Sequence, residues 1–298
     1  MIDLSPIILF VFNRPKHTKK VLDKLALNPE AKNSELYVYC DGFRLDSSIE
    51  EKSLIIQTRQ IVQNESRYKR ISIVNQDVNK GLAHSIIDGV SEVLMKQDRV
   101  IVLEDDILPE KGFLRYMNDA LNIYESNQEI GCIHAWNYTF NRNTIRQSTF
   151  LLKGADCWGW GTWKRAWDLF EINGEKLRNE ILKQNLTDSF NRNNTHGFLN
   201  MLNEQIIGKN NSWAIRWHAS LFLANKFCLH PTYPIVKNIG LDGSGTHCDV
   251  EDFIQLTTKK IKLTKHTEFK ENIDFFNSFK RGVKTKLTRW EKLKHFLK

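Results

Sequence analysis

Arg99-Val-Ile-Val-Leu-Glu104-Asp105-Asp106-Ile-Leu-Pro109 sets the reading of the whole chain. Four consecutive aliphatic residues, Val100 to Leu103, follow a segment of helical periodicity. They read as a strand buried on both faces of a mainly parallel sheet. The run stops on three carboxylates, Glu104, Asp105 and Asp106. Unpartnered carboxylates are costly to bury, so they belong at the strand's C-terminal edge, where open α/β sheets bind ligands. Their oxygens suit hard divalent cations such as Mg²⁺ or Mn²⁺, which bridge to substrate phosphates. An acidic triplet alone is more often a solvated turn. The aliphatic run before it and the segments around it reverse that preference.

Upstream, residues 6–12 are predicted as a first strand ending at Asn13-Arg14-Pro15, with a helix over 17–27. Residues 34–40 are a second strand ending at Asp41-Gly42, and 50–64 a helix. Residues 70–74 are a third strand, and a helix over 82–96 follows Asn79-Lys80-Gly81. This β-α-β-α-β-α-β pattern, with polar residues at the strand ends, is a nucleotide-binding half of a doubly wound sheet. Arg14 at one strand end suits a base or a phosphate, and Asp41 at the next suits a base or ribose. His84, in the first turn of the third helix, suits a phosphate or sugar. Each has a plain structural alternative: a capping arginine, an Asp-Gly turn, a packed histidine. Neither GxGxxG nor GxxxxGK[ST] occurs, which disfavours dinucleotide dehydrogenases and P-loop enzymes.

Downstream, residues 113–124 are predicted helical and 129–136 a strand followed by Asn137. After a strand at 149–152 comes Gly154-Ala-Asp156-Cys-Trp158-Gly-Trp160-Gly-Thr-Trp163. It reads as a loop whose glycines let backbone approach a ligand and whose Trp158 and Trp160 stack on sugars. Trp163 and Trp167 fit a core cluster instead. Residues 175–207 read as a polar helical insertion, a lid or acceptor-facing element. A helix opens at Trp213-Ala-Ile-Arg216-Trp217. The strand over 227–236 contains Pro231 and Pro234, which places it at the sheet margin. The glycine-rich stretch from Asn238 to His247 brings Asp242 and His247, and His247 suits completion of the metal site.

The 298 residues and 41% hydrophobic content suit one large α/β domain. No apolar stretch reaches the ~18 residues of a spanning helix, and the short run at 7–12 reads as a strand rather than a signal peptide. Five widely spaced cysteines without a CxxC pair argue for a reducing cytoplasm. The net charge of +8 suits an anionic ligand or membrane surface, and no nucleic-acid module is recognisable. Over 279–297, Phe279, Val283, Leu287, Trp290, Leu293 and Phe296 form a helical stripe opposite lysines and arginines. Such a basic amphipathic helix reads as an anchor on an anionic membrane, or as a helix docked on protein.

With these segments in place the chain resembles GT-A glycosyltransferases, in particular the N-acetylglucosaminyltransferase I family and related bacterial sugar transferases. Val102-Leu-Glu104-Asp105-Asp106 with Pro109 and Phe113, then Cys132-Ile-His-Ala-Trp136-Asn137, carry the resemblance. It implies an α/β, Rossmann-like GT-A fold: a mainly parallel central sheet flanked by helices, over residues 1–250. Residues 251–298 are then a basic extension ending in the amphipathic helix. It also implies a UDP-sugar donor and Mn²⁺ or Mg²⁺. Asp106 matches the family's direct metal ligand, Asp105 the ribose contact, and Glu104 lies in the same motif. Asn13, Arg14 and Asp41 match the uridine-binding strand ends, and His84 a donor contact. Asn137, Trp158, Trp160 and Gly161 are the acceptor-side candidates. One departure stands out. Where the family has a catalytic Asp before Trp, this chain has Arg216 before Trp217, and arginine is no base near neutral pH. Asp156 is the first substitute, with Glu204 and Asp242 behind it, and Arg216 becomes a candidate for an anionic acceptor.

The expectation is therefore an inverting, metal-dependent transferase. It moves sugar to a glycan or lipid-linked acceptor at the cytoplasmic face of the membrane, for surface polysaccharide or lipopolysaccharide. A nucleotidyltransferase of the same fold, and a non-catalytic sugar-binding or membrane scaffold, are the alternatives.

Overall fold

The chain alternates through β1 (Ile7–Val11), α1 (Pro15–Ala26), β2 (Glu35–Cys40), α2 (Ile49–Gln63), β3 (Arg70–Asn75), α3 (Leu82–Leu94) and β4 (Arg99–Glu104). It continues through β5 (Ile107–Pro109), α4 (Phe113–Ile123), β6 (Ile130–His134), β7 (Thr149–Lys153), β8 (Trp160–Trp163) and α5 (Lys164–Trp167). Then come α6 (Gly174–Lys183), α7 (Thr187–Phe190), α8 (Phe198–Ile206), α9 (Trp213–Leu223), β9 (Phe227–Pro231) and β10 (Val236–Asn238). The structure, a computed structural model, describes residues 4–137, 145, 147–240, 261–263 and 265–278. The expected boundary at residue 250 and the helix over 279–298 lie outside them, as do Asp242 and His247.

Eight strands form one sheet in the order β3-β2-β1-β4-β8-β6-β9-β7. β1 pairs in parallel with β2 and with β4, and all five of its residues are buried. Only β8 and β7 run antiparallel to their neighbours. The mainly parallel, helix-flanked α/β sheet of the expectation is present. The chain steps from β1 outward to β2 and β3, then returns to place β4 on the other side of β1. The C-terminal ends of β1 and β4 thus flank a topological switch point, where such sheets open a ligand crevice.

Apolar side chains fill both faces. Val21, Leu22 and Leu25 of α1 join Met117 and Leu121 of α4 on one face, over Leu9 and Leu103. Ile86 and Val90 of α3 join Trp213, Trp217 and Leu221 of α9 on the other, over Ile8, Val102 and Trp160.

Two expectations change. The segment 160–163 is a strand between β4 and β6, not a loop. Gly161 leaves little room for a side chain, since a Cβ there would meet Met117 Cε at 2.9 Å and the Val100 carbonyl oxygen at 3.1 Å. β9 is interior, between β6 and β7, and its proline sits at the last position, where the missing N–H interrupts little. The insertion at 175–207 is three helices, broken where Asn185, Arg192, Asn193 and Asn194 take left-handed backbone, a conformation asparagine adopts more readily than most residues. Residues 261–278 return to cover the β7 edge: Asn272 N–H donates to the Leu151 carbonyl at 3.1 Å, and Phe275 stacks on Phe150. Among the described residues, no helix is long and apolar enough to cross a membrane.

Candidate functional site

The switch-point crevice gathers residues about ninety positions apart in sequence. Glu104 pairs in register with Phe10, so Asp105 and Asp106 follow β4 beside the turn that ends β1. Phe12 N–H donates to Asp105 Oδ2 at 3.3 Å. Arg14 Nη1 donates to Asp106 Oδ2 at 2.9 Å and stands 3.7 Å from Asp105 Oδ1. Asp106 is also fixed from behind: its carbonyl accepts from Ile239 N–H at 2.8 Å. β10 pairs with β5 and delivers this backbone, and a Cβ on Gly240 would fall 2.4 Å from Asp106 Oδ2. His17 Nε2 lies 3.2 Å from the Ile239 carbonyl, tying α1 to the same segment.

Among the described residues, the carboxylates outnumber the one guanidinium that meets them. Burial, then the charges of Asp106 and Asp105, push Glu104 well above the ordinary carboxylate range. Burial, then Asp106, push Asp105 up to about 7, against the opposing pull of Arg14 and the Phe12 amide. This hard-oxygen donor set with surplus negative charge fits a divalent ion.

Asp41 corrects the sequence expectation. Its Oδ1 accepts from Gly42 N–H and Lys80 N–H, both at 2.8 Å. Its Oδ2 accepts from Asn79 Nδ2 and Gly81 N–H, both at 3.0 Å. A carboxylate has about four acceptor positions, and these four donors occupy them. Asp41 is the clamp that joins the end of β2 to the entry of α3 and offers nothing further to a base or ribose. Asn13 lies at the crevice, but its Nδ2 donates to Glu51 Oε1 at 2.9 Å. His84 is exposed on α3, with Nδ1 3.2 Å from the Lys80 carbonyl.

Asp156 corrects a second expectation. Its carboxylate faces inward: Oδ1 accepts from Cys157 N–H at 2.9 Å and lies 3.6 Å from His134 Nε2, while Oδ2 lies 3.7 Å from the buried Arg192. It is an internal counter-ion and not a base facing the crevice. His134, Asp156 and His230 each bring one ligand atom within 4.8 Å of the others, the residue types of a transition-metal site. The hydrogen bonds oppose a cation there. His134 Nε2 accepts from Trp158 N–H at 3.1 Å, so the proton of the neutral ring sits on Nδ1, 3.2 Å from His230 Nδ1. An added cation would meet that proton and the Arg192 guanidinium. Burial keeps both imidazoles neutral, pushing His134 down to about 4 and His230 well below its usual value.

The acceptor-side candidates divide. Trp158 is half-buried and packs edge-on against Trp136, with ring centres 5.0 Å apart. Trp160 is 1% exposed, among Trp167, Trp213 and Trp217, and Gly161 is buried beneath Met117, so neither faces a ligand. Asn137 is buried and donates to the Thr232 carbonyl at 2.7 Å. Arg216 is buried and donates to the carbonyls of Ser212 and Ile172 and to Asn211 Oδ1. It fastens the start of α9 rather than an anionic acceptor. Glu204 lies on α8, within the helical layer of α6, α8 and α9. Sequence reasoning missed Asn79 and Gly240. The Asn-Lys-Gly turn and the isolated glycine were visible, but their partners are set only by the fold.

No protein-family model and no curated protein matches the sequence. Solved structures do. S. aureus TarS is 16% identical, over 50% of this chain and 24% of that one, with a TM-score of 0.30. The chain thus spans about a quarter of the length of TarS. UDP-glucose pyrophosphorylase complexed with UDP-glucose is 15% identical, over 78% and 92% of the two chains, with a TM-score of 0.38. 4-Diphosphocytidyl-2C-methyl-D-erythritol synthase from Anaerococcus prevotii is 10% identical, over 56% and 74%, with a TM-score of 0.35.

Proposed function

We propose that the chain is a metal-dependent glycosyltransferase that moves a sugar from a UDP-sugar to a hydroxyl of a glycan or lipid-linked acceptor. The observation that carries this reading is the cluster at the C-terminal ends of β1 and β4, where Arg14 meets Asp105 and Asp106. Asp106, with His247, would hold Mn²⁺ or Mg²⁺, and the ion when bound supplies positive charge to a departing diphosphate. Asp105 and Glu104 line the donor's ribose side. Arg14 takes a phosphate oxygen, and the exposed His84 meets the donor across the entry of α3. Trp158, half-buried beside Trp136, offers an indole edge to the acceptor.

With Asp156 turned inward, the proton of the attacking hydroxyl goes to Asp242, two residues beyond the Gly240 that touches Asp106. The basic stretch over 279–298 holds the enzyme at an anionic membrane surface on the cytoplasmic side, next to a lipid-linked acceptor for surface polysaccharide. A thermal-shift series tests the donor site. A ligand bound only by the folded state raises its melting point, so a UDP-sugar with Mn²⁺ should stabilise the protein more than either alone. Asp106→Ala should abolish that shift and turnover while the circular dichroism stays native. No shift with any nucleotide sugar and either ion rejects the proposal.

A further inference from the structure

We propose that Arg14 competes with the divalent ion for Asp106 and, when the ion binds, passes to the nucleoside diphosphate, so that ion and nucleotide bind as a coupled pair. This rests on the reading that Asp106 takes the ion. It adds a mode of regulation at that site, carried by the placement of Arg14.

The geometry sets the competition. Arg14 Nη1 lies between the two carboxylates, 2.9 Å from Asp106 Oδ2 and 3.7 Å from Asp105 Oδ1. An ion held by Asp106 would place its charge at this same carboxylate. A guanidinium and a divalent ion cannot share it. Asp106 is the fixed partner, because its carbonyl is bonded to Ile239 N–H and the Gly240 backbone lies against its carboxylate. The Arg14 side chain keeps 21% of its surface exposed and leaves the chain at the turn between β1 and α1.

Charge gives the direction of the exchange. Among the described residues one guanidinium faces both Asp105 and Asp106, so a doubly charged ion neutralises the corner better than Arg14 does. Once displaced, the guanidinium remains beside the start of α1, a twelve-residue helix whose positive dipole end also favours an anion. A diphosphate held by the ion at Asp106 meets Arg14 there in the bidentate geometry that arginine forms with phosphate. Each ligand therefore removes an obstacle to the other, and by linkage the factor is the same in both directions.

The test is Mn²⁺ binding to the full chain followed by electron paramagnetic resonance, with and without UDP, corrected for Mn²⁺ chelated by free UDP. In the native protein UDP should tighten Mn²⁺ binding markedly. Arg14→Ala should bind Mn²⁺ alone about tenfold more tightly, the factor expected for removing one charge-assisted bond. The tightening by UDP should shrink several-fold in the same variant. Arg14→Gln, closer in shape, should behave alike and guards against a packing defect in the alanine protein. No Mn²⁺ binding to the native chain under either condition removes the metal reading itself. Mn²⁺ binding that is unchanged or weaker in both variants overturns the competition. Tighter binding with undiminished UDP coupling overturns the transfer of Arg14 to the diphosphate, leaving only repulsion.

Discussion

Asp41 offers the sharpest separation between a ligand contact and a structural clamp. Asp41→Ala removes the acceptor of four hydrogen bonds, from Gly42 N–H, Lys80 N–H, Gly81 N–H and Asn79 Nδ2. Bonds to a charged group contribute roughly 1.5–3 kcal/mol each, with a comparable penalty where a donor stays buried and unpaired. Lys80 is exposed and Gly81 and Asn79 are half-exposed, so water takes over part of their bonding; only Gly42 is fully buried. A net loss of about 3 kcal/mol follows, near the upper end for single substitutions. In a chain of this length that lowers the melting temperature by about 6 °C. Asp41→Asn keeps one acceptor oxygen but turns an NH₂ group toward two amide donors, and should fall between. The assay is differential scanning calorimetry with urea unfolding as a check, alongside UDP affinity by calorimetric titration. An Asp41→Ala protein that melts within about 1 °C of the native chain while UDP binding falls tenfold would refute the clamp and return Asp41 to the donor.

Two further outcomes follow from burial. Trp160→Ala should cost about 3–5 kcal/mol in urea unfolding, since the ring is fully enclosed by three other tryptophans, whereas Trp158→Ala, at a half-buried ring, should cost about 1 kcal/mol; equal losses would place Trp158 in the core. Acidification should lower stability from about pH 6.5 down to about pH 4. His134 and His218 are pushed down to about 4, and His196 to about 3, by burial, so the unfolded chain takes up protons there that the folded chain does not. Glu104 and Asp105, raised by burial, bind protons in the folded state over part of that range and offset some of the loss. Equal or greater resistance to urea at pH 5 than at pH 7.5 would contradict the neutral imidazoles.

The first half of the sheet was legible because each strand there carries its own signature. Val100 to Leu103 and Ile7 to Val11 are unbroken apolar runs, and parallel strands covered on both faces need such runs. β8 was not legible. Trp160-Gly-Thr-Trp163 has a glycine where a strand is normally weakened, and glycine between tryptophans looks like a loop. The sheet accepts it because Met117 packs directly over Gly161, a contact set by α4 more than forty residues away. β9 was misplaced by the same kind of local inference. Proline in a strand points to a sheet margin, yet Pro231 is the last residue of β9 and leaves the preceding pairing intact.

At the site, residue type was readable and orientation was not. The carboxylates of Glu104, Asp105 and Asp106 sit where a buried run must release charge, and Arg14 stands opposite them because β1 and β4 end side by side at the switch point. That much follows from alternation of strands and helices. Whether a polar side chain faces the crevice or the interior depends on partners that pattern cannot place. Asp41 looked like Asp105, a carboxylate just past a buried strand, but the Asn79-Lys80-Gly81 turn folds back onto it and fills its oxygens. Asp156 looked like an exposed loop carboxylate, yet His134 and Arg192, from separate elements, draw it inward. The distinction is physical: a carboxylate already matched by the protein's own donors has little left for a ligand. Glu104 and Asp105 are raised first by burial and then by the charge of Asp106, with Arg14 only partly opposing, so their oxygens are not matched in the way that those of Asp41 are.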